Sequence, residues 1–181
     1  MSAYSGLPCV TLVLGGARSG KSVYAETLIG DCDSPVYLAT AEAGHGDDRD
    51  GEMAARIAEH KKRRGGQWQT VEEPVDLAAA LARHTGGPVL VDCLTLWLAN
   101  IMAAGRDVDA ELEILTNCLK GLAGPVVLVS NEVGQGIVPD NALARSYMDH
   151  AGCMNQRIAA AAHRVVLVQA GLPQILKDDT T

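Results

Sequence analysis

The sequence predicts an α/β fold, a mostly parallel sheet with helices on both faces, and three observations carry that expectation. The stretch Gly15-Gly16-Ala17-Arg18-Ser19-Gly20-Lys21-Ser22 fits G-x-x-x-x-G-K-[ST] without a mismatch. It lies between an apolar run, Cys9-Val10-Thr11-Leu12-Val13-Leu14, and a helical stretch, Ser22 to Ile29, that stops near Gly30. Further along, short apolar runs alternate with helical segments, the pattern of a doubly wound sheet. The 181 residues are 48% hydrophobic but only 3% aromatic, with no phenylalanine. The core must therefore be aliphatic, as in parallel strands buried on both faces.

Each later element follows the same logic. Val36 to Thr40 reads as the second strand, and the Gly- and Asp-rich stretch from Glu42 to Gly51 as a loop. Glu52 to Arg64 has helical spacing and is stopped by Gly65-Gly66. Trp68 to Glu72 reads as a short strand ending before Pro74, and Val75 to His84 as an Ala/Leu-rich helix. Val89 to Asp92 is a buried strand, followed by helices over Leu94 to Ala104 and Val108 to Leu122. Val126 to Val129 is a strand and Ala142 to Ala162 a helix. Val165 to Val168 is expected to be the last strand. A chain of this length, without repeats or linkers, is expected to form one domain over residues 1–181. The predicted core holds Val10, Leu12, Val13, Val89, Leu90, Val127, Leu128, Val166 and Leu167.

Composition narrows the function. A net charge of −7 argues against nucleic acid as a partner, because phosphate backbones attract basic surfaces. Five scattered cysteines without a C-x-x-C pair support neither a metal site nor a disulfide framework. No apolar run approaches the roughly 20 residues of a membrane span, and Met1 to Pro8 does not resemble a signal peptide. A cytoplasmic location is expected.

The phosphate loop predicts binding of a nucleoside triphosphate. Its backbone N–H groups face phosphate oxygens, and the helix that follows adds partial positive charge. Lys21 is expected to reach the β- and γ-phosphates and Ser22 to coordinate Mg²⁺. Asp92, directly after Val89-Leu90-Val91, stands where an acidic residue would hold that Mg²⁺, directly or through water. It could equally cap the helix beginning at Leu94. Arg56, His60 and Arg64, spaced i, i+4, i+8, share one helical face beside Lys61, Lys62 and Arg63. A neutral imidazole there could attack phosphorus; the charge pattern by itself favours a solvated face. Glu132, opening the Gly-punctuated stretch to Pro139, could orient a substrate hydroxyl or a Mg²⁺-bound water, or merely begin a structural turn.

Taken together, these segments resemble the bifunctional adenosylcobinamide kinase / adenosylcobinamide-phosphate guanylyltransferase family. The matching blocks are the phosphate loop, Glu52 to Ile57 with His60, Trp68 to Glu72 and Val91 to Thr95. They continue with Ser130 to Pro139, Ala151-Gly152 and Asn155-Gln156-Arg157. The segment Glu132-Val133-Gly134-Gln135-Gly136-Ile137-Val138-Pro139, with Arg56-Ile57 and His60, is far more specific than the loop alone. The resemblance implies a RecA-like P-loop NTPase fold and a two-step chemistry with adenosylcobinamide and adenosylcobinamide phosphate as substrates. ATP or GTP phosphorylates the aminopropanol hydroxyl; GMP then passes from GTP through a guanylylated histidine to give adenosylcobinamide-GDP.

By motif position the resemblance makes His60 the nucleophile and Gly15, Gly16, Ala17, Arg18, Ser19, Gly20, Lys21 and Ser22 the triphosphate cradle. Thr40, Ala41 and Glu42 line the nucleotide site, and Lys61, Lys62, Arg63, Arg64, Glu72 and Asp92 contact nucleotide. Ser22 and Asp92 are the expected Mg²⁺ ligands on the loop and strand-end chemistry above, and similar proteins form trimers. Some members carry two adjacent histidines on this helix, whereas here Glu59 precedes His60. The Glu42 to Gly51 loop is longer than in compact members, and its His45 is read as a bystander. A kinase retaining only the phosphorylation step is the alternative, and a regulatory nucleotide-binding module without catalysis a third reading. His60 in its motif speaks against the first, and Lys21, Ser22, Asp92 and His60 together against the second.

Overall fold

The computed structural model describes residues 7–30, 32–41, 66–84 and 86–179. The loop expected from Glu42, the helix from Glu52 to Arg64, and with them His45, Arg56, Glu59, His60 and Lys61 to Arg64 lie outside the described residues. Seven strands form one sheet: β1 (Val10–Gly15), β2 (Val36–Ala39), β3 (Gln69–Glu72), β4 (Val89–Asp92), β5 (Val126–Asn131), β6 (Arg164–Gln169) and β7 (Leu172–Asp178). Their order across the sheet is β3-β2-β4-β5-β1-β6-β7. All neighbours pair in parallel except β6 and β7, which are antiparallel. The described helices are α1 (Lys21–Ile29), α2 (Leu77–Arg83), α3 (Leu94–Ala103), α4 (Val108–Lys120) and α5 (Ala142–Ala161).

Period-two alternation divides the strands between two cores. Val10, Leu12 and Leu14 of β1 join Leu38, Val89, Val91 and Leu128 on one face. There they meet Leu77 and Leu81 of α2, Trp97 and Leu98 of α3, Leu112 and Leu115 of α4, and Met154 and Ile158 of α5. Val13, Tyr37, Leu90, Val127, Val129 and Val166 point the other way, where Ala25 and Ile29 of α1 cover them. Both faces are therefore helical, as expected. Of the predicted core, only Leu167 is partly exposed; the other eight residues are buried.

Helix starts follow local chemistry. The Asp107 carboxylate accepts from the Ala110 N–H (3.1 Å) and opens α4; the Asn141 side chain accepts from Ala144 (2.7 Å) and opens α5. α2 begins at Leu77 rather than Val75, because Glu73 Oε1 accepts from the N–H groups of Val75 and Asp76.

The structure corrects one expectation. Val165 to Val168 is not the last strand: β7 returns along β6 through a turn in which Ala170 and Gly171 have φ of 53° and 79°. Positive φ at both central residues is the hairpin geometry whose twist matches its strands. β7 escaped the sequence reading because it is an edge strand with Leu172, Ile175 and Leu176 all exposed and a proline at 173. No alternation between a buried and a solvated face marks it.

Candidate active site

The parallel strands carry their chemistry at their carboxyl ends, where α/β sheets bind ligands. β1 passes directly into the phosphate loop and α1. The loop is held from two sides: the Glu132 N–H donates to the Gly15 carbonyl (3.1 Å), and the Gly171 N–H to the Ser19 carbonyl (2.8 Å). The second contact comes from the turn of the β6–β7 hairpin, so the turn that leads into the strand missed in the sequence buttresses the loop. Lys21 is 9% exposed and its Nζ donates to the Gly16 carbonyl at 3.1 Å. Ser19 Oγ is buried with no hydrogen-bond partner among the described residues.

Two glycines of the loop have structural reasons. Gly20 holds φ +95°, which glycine adopts without strain. A Cβ on Gly15 would collide with Ser19 Oγ and lie 2.6 Å from the Val168 carbonyl, a fixed strand atom. Gly15→Ala is therefore expected to cost about 1–3 kcal/mol of stability through overpacking and to weaken triphosphate binding. Denaturant midpoints and a nucleotide titration check it; unchanged values would refute this packing account.

Asp92 ends β4, with β5 between it and the loop strand. The Tyr37 hydroxyl donates to Asp92 Oδ2 at 3.1 Å. Asp92 does not cap α3: the N-cap residue is Cys93, and no side chain caps that helix. Ser22, in the first turn of α1, and Asp92 are hard oxygen donors of the kind that bind Mg²⁺, which usually takes one or two carboxylates, phosphate oxygens and water. No group of three or more His, Cys, Asp or Glu side chains that could hold a metal exists among the described residues.

Thr40 is fully buried and serves as a clamp. Its Oγ1 donates to the Cys93 carbonyl (2.8 Å) and accepts from the Cys93 N–H (2.9 Å), while Asn100 Nδ2 donates to the Thr40 carbonyl (2.8 Å). Beside it, Asn131 Nδ2 donates to Thr95 Oγ1 (2.6 Å), and the Tyr147 hydroxyl to the Thr95 carbonyl (2.8 Å). Burial, and then the negative charge of Asp92, push the Cys93 thiol above its ordinary range, while Lys21 pulls the other way. Burial, and then Cys93, likewise raise the Tyr147 hydroxyl.

The phosphate loop, Asp92, Asn131 and Glu132 thus gather at adjacent strand ends. Glu72 does not join them. It is exposed at the end of the edge strand β3, four strand spacings or about 19 Å from β1. Ala41 is the last described residue after β2, and Glu42, His60 and Lys61 to Arg64 lie outside the described residues. The sequence reading missed Tyr37, Tyr147 and Gly171. Nothing in their local pattern separates them from core or turn residues, since their partners are 52 to 152 positions away.

A family model described as cobinamide kinase / cobinamide phosphate guanyltransferase matches residues 11–176. The chain belongs to this family. It is 49% identical over 173 residues to the bifunctional adenosylcobalamin biosynthesis protein CobP of Pseudomonas aeruginosa, covering 93% of this chain and 97% of that protein. The protein of the same description, CobU, from Salmonella typhimurium is 41% identical, with 89% and 96% covered. As a member of the cobinamide kinase / guanyltransferase family, the chain shares its P-loop architecture with more distant structures. The flagellar accessory protein FlaH of Methanocaldococcus jannaschii superposes with a TM-score of 0.54 at 14% identity, over 96% of this chain and 81% of that one. A type III secretion ATPase gives 0.54 at 10% identity, over 89% and 51%. At such identities the likeness shows the fold alone, a RecA-like sheet in which β5 stands between the loop strand and the strand of Asp92. Among the described residues, no helix is long and apolar enough to cross a membrane.

Proposed function

We propose that this chain, acting as a single domain, phosphorylates the aminopropanol hydroxyl of adenosylcobinamide with ATP or GTP. It then transfers GMP from GTP onto the new phosphate, releasing pyrophosphate and giving adenosylcobinamide-GDP. The observation that carries the reading is an intact phosphate loop, buttressed on both sides, in a chain matched by the family model over 11–176. The loop from Gly15 to Ser22 cradles the triphosphate, and a phosphate oxygen would satisfy the buried Ser19 hydroxyl. Lys21 leaves the Gly16 carbonyl for the β- and γ-phosphates. Ser22 and the Tyr37-held Asp92 bind Mg²⁺, which neutralises phosphate charge when present. Ala41, Glu42 and Lys61 to Arg64 complete the nucleotide contacts, with Thr40 shaping that strand end through its clamp on Cys93; Glu72, about 19 Å from β1, would meet only nucleotide bound beyond the loop.

In the second reaction the His60 imidazole attacks the α-phosphorus of GTP. A P–N bond forms as the bond to pyrophosphate breaks; the phosphate of the cobinamide then attacks the same phosphorus and frees His60. Assembly as a trimer belongs to the same reading and rests on the resemblance; a cytoplasmic location belongs to it too and rests on the composition of the chain. Protein incubated with α-labelled GTP and Mg²⁺ should retain a label that survives base and is lost in acid, as a phosphoramidate is. Formation of cobinamide phosphate without any label would favour the enzyme that performs only phosphorylation.

A further inference from the structure

Two sequence blocks with no role in the chemistry above meet in space. Asn155, on α5, is 7% exposed and faces the carboxyl end of β5. The Ser130 hydroxyl donates to its Oδ1 at 2.7 Å. Its Nδ2 donates to the Asn131 carbonyl (3.2 Å) and to Glu132 Oε1 (3.1 Å). A flipped amide would set its oxygen against a carbonyl and a carboxylate, so the orientation is determined. The first two bonds are enough to tie β5 to α5. The third reaches a partly exposed carboxylate beside the phosphate loop.

Glu132 is held at the phosphate loop by its backbone, through the N–H that donates to Gly15. Among the described residues its other carboxylate oxygen has no hydrogen-bond partner. Glu132 is partly exposed, and a Cβ added at nearby Gly16, Gly134 or Gly136 would meet nothing within 4 Å. Asp92, by contrast, already accepts from Tyr37.

We infer that Glu132 accepts the proton of the substrate hydroxyl during phosphoryl transfer and that Asn155 is its positioning residue; this rests on the kinase half of the reading above. The hydroxyl oxygen attacks the γ-phosphorus while its proton passes to Glu132 Oε2. The bond from the γ-phosphorus to the bridging oxygen breaks, and its electron pair leaves with the nucleoside diphosphate. Glu132 then returns the proton to water. GMP transfer needs no such base, because the attacking groups are an imidazole and a phosphate oxygen. Glu132 therefore separates the two activities in the sense opposite to His60.

Glu132→Gln keeps an oxygen for Asn155 and removes the proton acceptor. Its kcat for phosphorylation of adenosylcobinamide should fall about 10²- to 10⁴-fold, with KM within about threefold. GMP labelling, and transfer onto supplied adenosylcobinamide phosphate, should stay near wild type, which also reports intact folding. Asn155→Ala should lower kcat about tenfold with a smaller effect on labelling. A Glu132→Gln enzyme that phosphorylates within about threefold of active wild type overturns the assignment alone, as does an equal loss in both half-reactions. Wild-type protein that takes up GMP but never phosphorylates the cobinamide overturns the kinase reading and this assignment with it.

Discussion

His60→Ala should reduce covalent labelling from α-labelled GTP, and transfer of GMP to adenosylcobinamide phosphate, by a factor of about 10³ or more, the scale of removing a nucleophile. Much of the ATP-dependent phosphorylation should survive, because that step passes through no covalent intermediate. His45→Ala should leave the label intact. The expectation rests on His60 within the cluster of Arg56, Lys61, Lys62, Arg63 and Arg64, where positive charge offsets the negative charge building on the transferring phosphate. The check is retained radiolabel in denatured protein, together with separate assays of each half-reaction. A variant that still captures GMP at the wild-type level would place the nucleophile elsewhere.

Lys21→Met should impair both half-reactions, by about 10²–10³ in kcat where phosphate charge develops, and should weaken triphosphate binding. Lys21 is nearly buried and lies over the Gly16 carbonyl at 3.1 Å, at the centre of the loop that meets the phosphates. Methionine preserves most of the stem's packing while removing the ammonium, so stability should change little. Affinity and turnover measured separately with ATP and GTP test this. Near wild-type values in both steps would mean that this loop is not the catalytic nucleotide site. The two variants differ in kind: one splits the activities and the other damages both.

Much of the fold was legible because burial on both faces writes itself into short aliphatic runs. Val10 to Leu14, Val89 to Val91 and Val126 to Val129 could hardly be read otherwise, and each is a strand. β5 nevertheless runs two residues past Val129, because Ser130 and Asn131 pair with Leu14 and Gly15 despite their polarity. β7 was invisible for the complementary reason: an exposed edge strand is selected by its neighbour's free backbone groups, which leave no hydrophobic period. In the site, the phosphate loop was legible because its glycines, lysine and serine must stand at fixed spacing along one turn.

By itself, then, the sequence determined the local features whose physics lies within a few residues: the phosphate loop, the aliphatic strands, the described helices between them and the family. Only the tertiary structure decided the rest. It placed β5 between β1 and β4, set the hairpin turn at Gly171 against Ser19, and put Glu72 at the far edge of the sheet. It made Thr40 a buried clamp on Cys93, and it turned Asp92 toward Tyr37 rather than into a helix cap. It joined Asn155 to Glu132 across 23 positions. Hydrogen bonds of that kind depend on strand order and on the angle at which a helix crosses the sheet. Both are set by how the whole aliphatic core packs, and no local stretch of sequence carries that information.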